Sequence, residues 1–131
     1  MYQSEKEITE SLARNVLVDI ANKGTAKIQE AGYLKAIGHS YVREYVLKSF
    51  AGDDSEEINT SVIYPRISTA RSMDTGAVSV YVGHLVSDKF GGVLEKTRER
   101  HYRFRDSLFK AYAAARPFQY TAERLETDEA G

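Results

Sequence analysis

The stretch Lys96 to Arg105, LysThrArgGluArgHisTyrArgPheArg, carries five cations: Lys96, Arg98, Arg100, Arg103 and Arg105. Cations interleaved with rings suit nucleic acid, because guanidinium groups pair with phosphates while aromatic faces stack on bases. If the stretch is extended, Arg98, Arg100, Tyr102 and Phe104 share one face, as a binder of single strands would need. Coiled into a loop, it becomes a cationic rim for phosphates or for an acidic neighbour. Glu95, Glu99 and Asp106 lie within or beside it, which leaves a third reading. In that reading it is a solvated sheet edge, where Arg also discourages edge pairing.

Other chemistry is sparse. The three histidines, His39, His84 and His101, have no i,i+4 spacing, and the chain has no Cys to complete a zinc site or form a disulfide. Asp53, Asp54, Glu56 and Glu57 lack the alternating Asp pattern and distant bidentate Glu of a calcium loop and read as a solvated turn. Gly91-Gly92 is not framed as a phosphate-cradling loop, and no Gly-x-Ser-x-Gly elbow occurs. The expectation is a non-catalytic protein with no catalytic residues, no metal and no cofactor.

Composition narrows the class further. With 42% hydrophobic and 28% charged residues in 131, the chain has the make-up of one ordinary globular domain. No apolar run approaches the roughly 20 residues that span a bilayer, so no membrane partner is expected. No basic-then-apolar leader opens the sequence, and a cytosolic site of synthesis is the default. A formal charge of −1 and a pI near 6.3 weigh against DNA binding as the main task, leaving room for a local patch. Nine Tyr and five Phe supply rings suited to strands, to a core or to protein contacts.

The elements that must position these residues follow from periodicity. Ser4-x-x-Glu7 has capping-box spacing, and Ile8, Leu12, Val16 and Ile20 recur every four residues. A long amphipathic helix is expected from about Glu5 to Glu30, with Gly32 as its C′ residue and Gly24 marking a bend. Residues 39–50 fit either a helix, through Val42, Val46 and Phe50, or a Tyr- and Val-rich strand, and strand is favoured. Residues 51–57 read as an acidic turn, Ile58 to Tyr64 as a strand ending at Pro65, and Asp74-Thr75-Gly76 as a second turn. Ala77 to Val86 reads as the clearest strand, and Gly91-Gly92 as a break. Arg105 to Ala115 reads as a helix with Leu108, Phe109, Tyr112 and Ala115 on one side and Pro117 behind its end. The expected fold class is α+β: a long N-terminal helix packed on an antiparallel β-sheet, with a second helical region near the C-terminus. Residues 1–131 form a single domain in this reading, with 119–131 partly a frayed tail.

Four short words, in order, carry a resemblance. They are Ala31-Gly32-Tyr33-Leu34-Lys35-Ala36-Ile37, Val80-Tyr81-Val82-Gly83, Val93-Leu94-Glu95-Lys96-Thr97 and Arg116-Pro117-Phe118-Gln119-Tyr120-Thr121-Ala122. In this the chain resembles the small tail-completion and head–tail joining (neck) proteins of long-tailed bacteriophages, the group that includes the lambda minor tail protein Z. Ala31 and Ala36 stand where that family has Thr and Ser, Lys96 where it has Gly, and Thr121 where it has Pro. The resemblance implies a structural virion protein, made in the host cytoplasm, forming a cyclic homo-oligomeric ring of six-fold symmetry. Its partners would be neighbouring neck and tail proteins, with DNA passing through the lumen without sequence-specific binding.

Under that reading Arg98, Arg100, Tyr102, Arg103 and Phe118 are the candidate partner-facing residues. Leu34, Ile37 and Gly83 are the candidate structural junctions, with Leu34 and Ile37 anchoring the helix to the sheet. Two alternatives stand beside it. One is a small cone-shaped, nuclear-transport-factor-like binding or secretion-channel domain, suggested by Tyr41-Val42-Arg43-Glu44-Tyr45. The other is a binder of single-stranded nucleic acid through Arg98, Arg100, Tyr102 and Phe104.

Overall fold

The computed structural model describes residues 24–120. Residues 24–31 are the described part of a first compact unit and are helical; a second unit begins at Gly32. The described elements are helix and antiparallel sheet, broadly α+β. The helix α1 spans 24–37, followed by α2 (Tyr41–Ala51), β1 (Ile58–Asn59), α3 (Thr60–Arg71) and α4 (Thr75–Val86). A 3₁₀ turn (Asp88–Phe90) leads into β2 (Leu94–Arg98), β3 (His101–Phe104) and α5 (Ser107–Ala115). The sheet order is β1-β3-β2, antiparallel throughout, so the β2–β3 hairpin inserts β3 beside the short β1.

Several expectations are corrected. The expected helix from Glu5 lies outside the described residues up to 23, but its end does not fall at Gly32. The helix runs on to 37 and stops at Gly38, whose φ of +57° is the left-handed C′ conformation. Residues 39–50 are not a strand: Ser40 N-caps α2 by accepting the backbone N–H of Arg43 at 3.1 Å. The strand expected over Ile58 to Tyr64 shrinks to Ile58–Asn59. Asn59 then caps α3, which carries Pro65 in its interior, on an exposed side. Ala77 to Val86 is helix, because Asp74 caps it and Val78, Val82 and Leu85 recur at i, i+4 and i+7 on its buried side.

The corrected segments share a physical cause. Val, Ile and Tyr favour strands by packing on a half-buried surface, and that preference yields when neighbouring helices bury the same side chains. The break at Gly91-Gly92 and the loop at 52–57 stand as expected, and α5 begins two residues after Arg105. On α5 the buried positions are Phe109 and Ala113, while Leu108 is exposed.

One core unites the elements of the second unit. Tyr33, Ile37, Val46, Leu47, Phe50, Ile58, Ile63, Ile67, Val78, Leu85 and Leu94 are all dry within it. The helix α2 packs against α3, α4 and α5 and carries two nearly dry ionic side chains, Arg43 and Glu44. The Glu44 carboxylate accepts the Tyr33 hydroxyl and the backbone N–H groups of Gln119 and Tyr120, the last at 3.1 Å. One turn on, Lys48 Nζ donates to the Ala113 carbonyl at 2.8 Å and to that of Arg116. Arg43 donates to the Ile37 carbonyl at 2.9 Å, closing the end of α1.

Glu44→Ala is expected to lower unfolding free energy by about 3 kcal/mol or more, since each buried donor left without an acceptor costs on the order of 1–3 kcal/mol. Urea unfolding reads this, and a loss below about 1 kcal/mol would show that the carboxylate does not hold the fold together. The two glycines Gly38 and Gly83 give opposite expectations. A Cβ at Gly38 would sit 3.1 Å from an Arg43 nitrogen in a left-handed backbone, so Gly38→Ala should cost about 1–2 kcal/mol. At Gly83, in the exposed middle of α4, a Cβ meets nothing within 4 Å, so Gly83→Ala should add about 0.5–1 kcal/mol. Thermal melts of the pair check the signs.

Candidate nucleic-acid interface

Three residues, Ser72-Met73-Asp74, join α3 to α4. Ser72 takes the left-handed conformation at φ 53°, and the Met73 N–H returns to the Ser68 carbonyl at 3.1 Å. Two helices joined by so short a turn, the second with an exposed face, have the connectivity of a helix-turn-helix. The hydrophobic side of α4 (Val78, Val82, Leu85) is spent on the core. That leaves Thr75, Gly76, Ser79, Val80 and Gly83 exposed.

The hairpin rises beside the start of α4. Its inner face begins in the core with the cross-strand pair Leu94 and Phe104 and continues outward to Lys96 opposite Tyr102. Glu99 and Arg100 form its tip, and Arg100 adopts φ 64°. The Thr60 N–H donates to the Arg100 carbonyl at 2.8 Å, tying that tip to the first residue of α3. Between hairpin and helices lies an open groove of about 490 Å³. Ser61, Tyr64 and Pro65 of α3, Thr75 and Ser79 of α4, and Lys96, Glu99, Arg100 and Tyr102 of the hairpin line it.

The chain matches no protein-family model, no curated protein and no solved structure.

Charge is distributed unevenly over this surface. Arg100, within the groove, and Arg66, exposed on α3, have no ion-pair partner among the described residues. Lys96 lies 3.5 Å from Glu99, an exposed contact of little strength. Arg98 approaches Glu57 at 3.4 Å. The Glu57 carboxyl is held below its ordinary range by a hydrogen bond with Thr97 and then by Arg98, His101 and Arg103. On the opposite sheet face, Arg103 donates to Glu95 at 2.6 Å and Arg105 lies 3.7 Å from the same carboxylate. That hydrogen bond, more than any other influence, keeps the Glu95 carboxyl below its ordinary range. Asp54 and Glu56 line the depression on this second face.

The five cations of Lys96 to Arg105 therefore do not act as one surface. Arg100, Lys96 and Tyr102 meet in the groove, whereas Arg103 and Arg105 face away from it, bound to a carboxylate. The expected common face of Arg98, Arg100, Tyr102 and Phe104 does not form, because the chain reverses at residues 99 and 100 and Phe104 is buried against Phe109. Phe104 is dry and has no face to offer a base. Phe118 is about half exposed and stacks on Tyr45 at 6.3 Å, with Lys48 Nζ 5.1 Å from its ring centre. Of the expected junction residues, Ile37 is fully buried, Leu34 is 41% exposed and so anchors little, and Gly83 lies on an open helix face.

Sequence reasoning missed Tyr64, Thr75 and Ser79. The signal that could have found them was Asp74 as an N-cap, three residues after a run with apolar positions at Ile63 and Ile67. Tyr64 is half buried in the groove wall. Burial pushes its phenol up to about 12, with Tyr102 adding to the shift and a hydrogen bond with Ser79 opposing it. A phenol pKa raised on folding means the native state holds its proton longer, so stability falls as pH rises from about 10 to about 12. Alkaline difference absorbance between the wild type and Tyr64→Phe should show one phenol titrating near 12. Titration of that phenol near 10 would contradict the buried setting.

Proposed function

We propose that this chain is a module that binds duplex DNA in the manner of a helix-turn-helix, with α4 entering the major groove and the β2–β3 hairpin contacting the backbone alongside. The observation that supports it most is the convergence of the α4 N-terminal half and the hairpin tip on one open groove, where Arg100 has no ion-pair partner among the described residues. At 12 residues α4 is about 18 Å long, and a B-form major groove about 12 Å wide admits such a helix. The uncharged outer side of α4 lets it approach base edges closely, while Arg100 and Lys96 supply the phosphate contacts that set orientation. The net charge of −1 does not oppose this reading. Asp54, Glu56 and Glu95 sit on the other sheet face, and the local field is what a polyanion meets first.

Fluorescence anisotropy on a labelled duplex tests the proposal. Binding should weaken as salt rises, and Arg100→Ala and Lys96→Ala should each weaken it for all sequences alike while lowering the log–log salt slope by about 1. Arg103→Ala, on the far face, should leave the slope unchanged. No salt-dependent binding at low ionic strength would end this reading.

A non-catalytic ring subunit of a phage neck, part of a virion, is the second reading. The exposed Leu108 and Phe118 favour it, as does the position of Arg116-Pro117-Phe118 directly after α5, where the family pattern places its word before a final helix. Light scattering across a concentration series separates the two. A discrete ring-sized oligomer with no affinity for duplex favours the neck protein, and a monomer or dimer that binds duplex favours the DNA module.

A further inference from the structure

The duplex contact described above uses the cations and the outer side of α4, and it leaves the aromatic part of the groove without a task. Tyr102 belongs to β3, the central strand of the sheet, and is paired with Ile58 on one side and Lys96 on the other. Tyr64, with Pro65 next to it, comes to the same groove from α3. Both tyrosines are partly buried: they pack on the core and also line the groove. At about 490 Å³ the groove has the size of a small-molecule site, for which roughly 300–1,000 Å³ is usual.

Apolar rings beside cations are the complement of a single nucleotide. Directly opposed residues of an antiparallel pair hold their Cβ atoms about 4.5–5.5 Å apart, so the Lys96 stem starts beside Tyr102. Arg100, at the hairpin tip, has no ion-pair partner among the described residues. Glu99 shares this rim, but its side chain is 84% exposed and its contact with Lys96 is 3.5 Å, a weak pair that a phosphate can replace. A base inside a duplex is paired and stacked on both faces. Only an unpaired base can lie on a tyrosine ring.

Resting on the DNA reading above, we propose that the groove takes an unpaired nucleotide, so that the preferred ligand is duplex DNA carrying a single-stranded extension. The duplex lies on α4, and the strand that continues past its end enters between α4 and the hairpin. Its base rests on Tyr102, with Tyr64 and Pro65 beside it, while Lys96 and Arg100 hold the flanking phosphates. Tyr102 adds affinity without sequence preference, since every base has a π-face.

Anisotropy on the full chain would compare a blunt duplex with the same duplex extended by about four unpaired nucleotides, on each strand in turn. A third ligand carries abasic sites in the extension, which keeps the added phosphates and removes the bases. The expected result is binding of one extended duplex tighter than the blunt one by roughly fivefold or more, the stacking value of a single base. That gain should vanish with the abasic extension and in Tyr102→Ala, and it should persist in Tyr102→Phe. Equal affinity for blunt and extended duplexes would overturn the proposal and leave DNA binding intact. A gain that survives the abasic extension, or Tyr102→Ala, would do the same, because phosphates alone would then account for it. Absence of salt-dependent binding to any of the ligands would remove the DNA reading, and this inference with it. The abasic comparison uses the wild type, so it decides the matter even if Tyr102→Ala weakens the hairpin.

Discussion

Two adjacent ionic side chains on one helix set the geometry of the whole unit. Successive residues of a helix point about 100° apart, so Arg43 and Glu44 reach different neighbours from the same turn of α2. Neither has water to fall back on: 8% of Arg43 and none of Glu44 is exposed. A buried charge without partners is far costlier than any single packing contact, so every group that satisfies these two must stay in place. Arg43 takes the last carbonyl of α1 and lies 3.8 Å from the centre of the Phe90 ring, beside His84 of α4. Glu44 takes Tyr33 on one side and the chain after α5 on the other. The end of α1, the end of α4 and the C-terminal segment to Tyr120 are thus all referred to α2.

The same pairing explains the state of His84. Burial first, then Arg43 and Lys89, lower its pKa, so near neutrality the ring accepts from Arg43 without competing for charge. It also fixes the C-terminal end of α4, which leaves the N-terminal half as the part presented beside the hairpin. Rigidity at one end of a helix and exposure at the other is a sound arrangement for a contact surface, because the presented side chains lose little further freedom on binding.

The small sheet works by similar economy. With β1 only two residues long, the hairpin is held by a few cross-strand pairs and by the bond from Thr60 to the Arg100 carbonyl. Alternation along β3 then sorts the basic cluster by parity. Tyr102 joins the groove and Phe104 the core, while Arg103 points to the acidic side. A run of cations that looks continuous in the sequence becomes two surfaces of different character: on one, Arg100 has no ion-pair partner among the described residues, and on the other Arg103 and Arg105 are neutralised by Glu95.

How much of this was legible in the sequence depends on the range of the interaction involved. Turn and cap residues act locally, so the loop at 52–57, the break at Gly91-Gly92 and the helix before Pro117 could all be read directly. The mixed helix-and-sheet class was also legible. For α2 and α4 the helical spacing was present, in Val46 with Phe50 and in Val78 with Val82. The β-branched composition pulled the reading toward strand, because propensity cannot register that other helices will enclose those side chains. The groove was illegible for a related reason: Tyr64, Thr75, Lys96 and Arg100 lie on three elements and meet only through the sheet order β1-β3-β2. The sequence by itself determined which residues can end a helix, turn a chain or carry charge, since those are properties of one residue and its near neighbours. Only the tertiary structure decided which apolar residues are enclosed and which cations remain unpaired, because both depend on contacts between segments far apart in the chain.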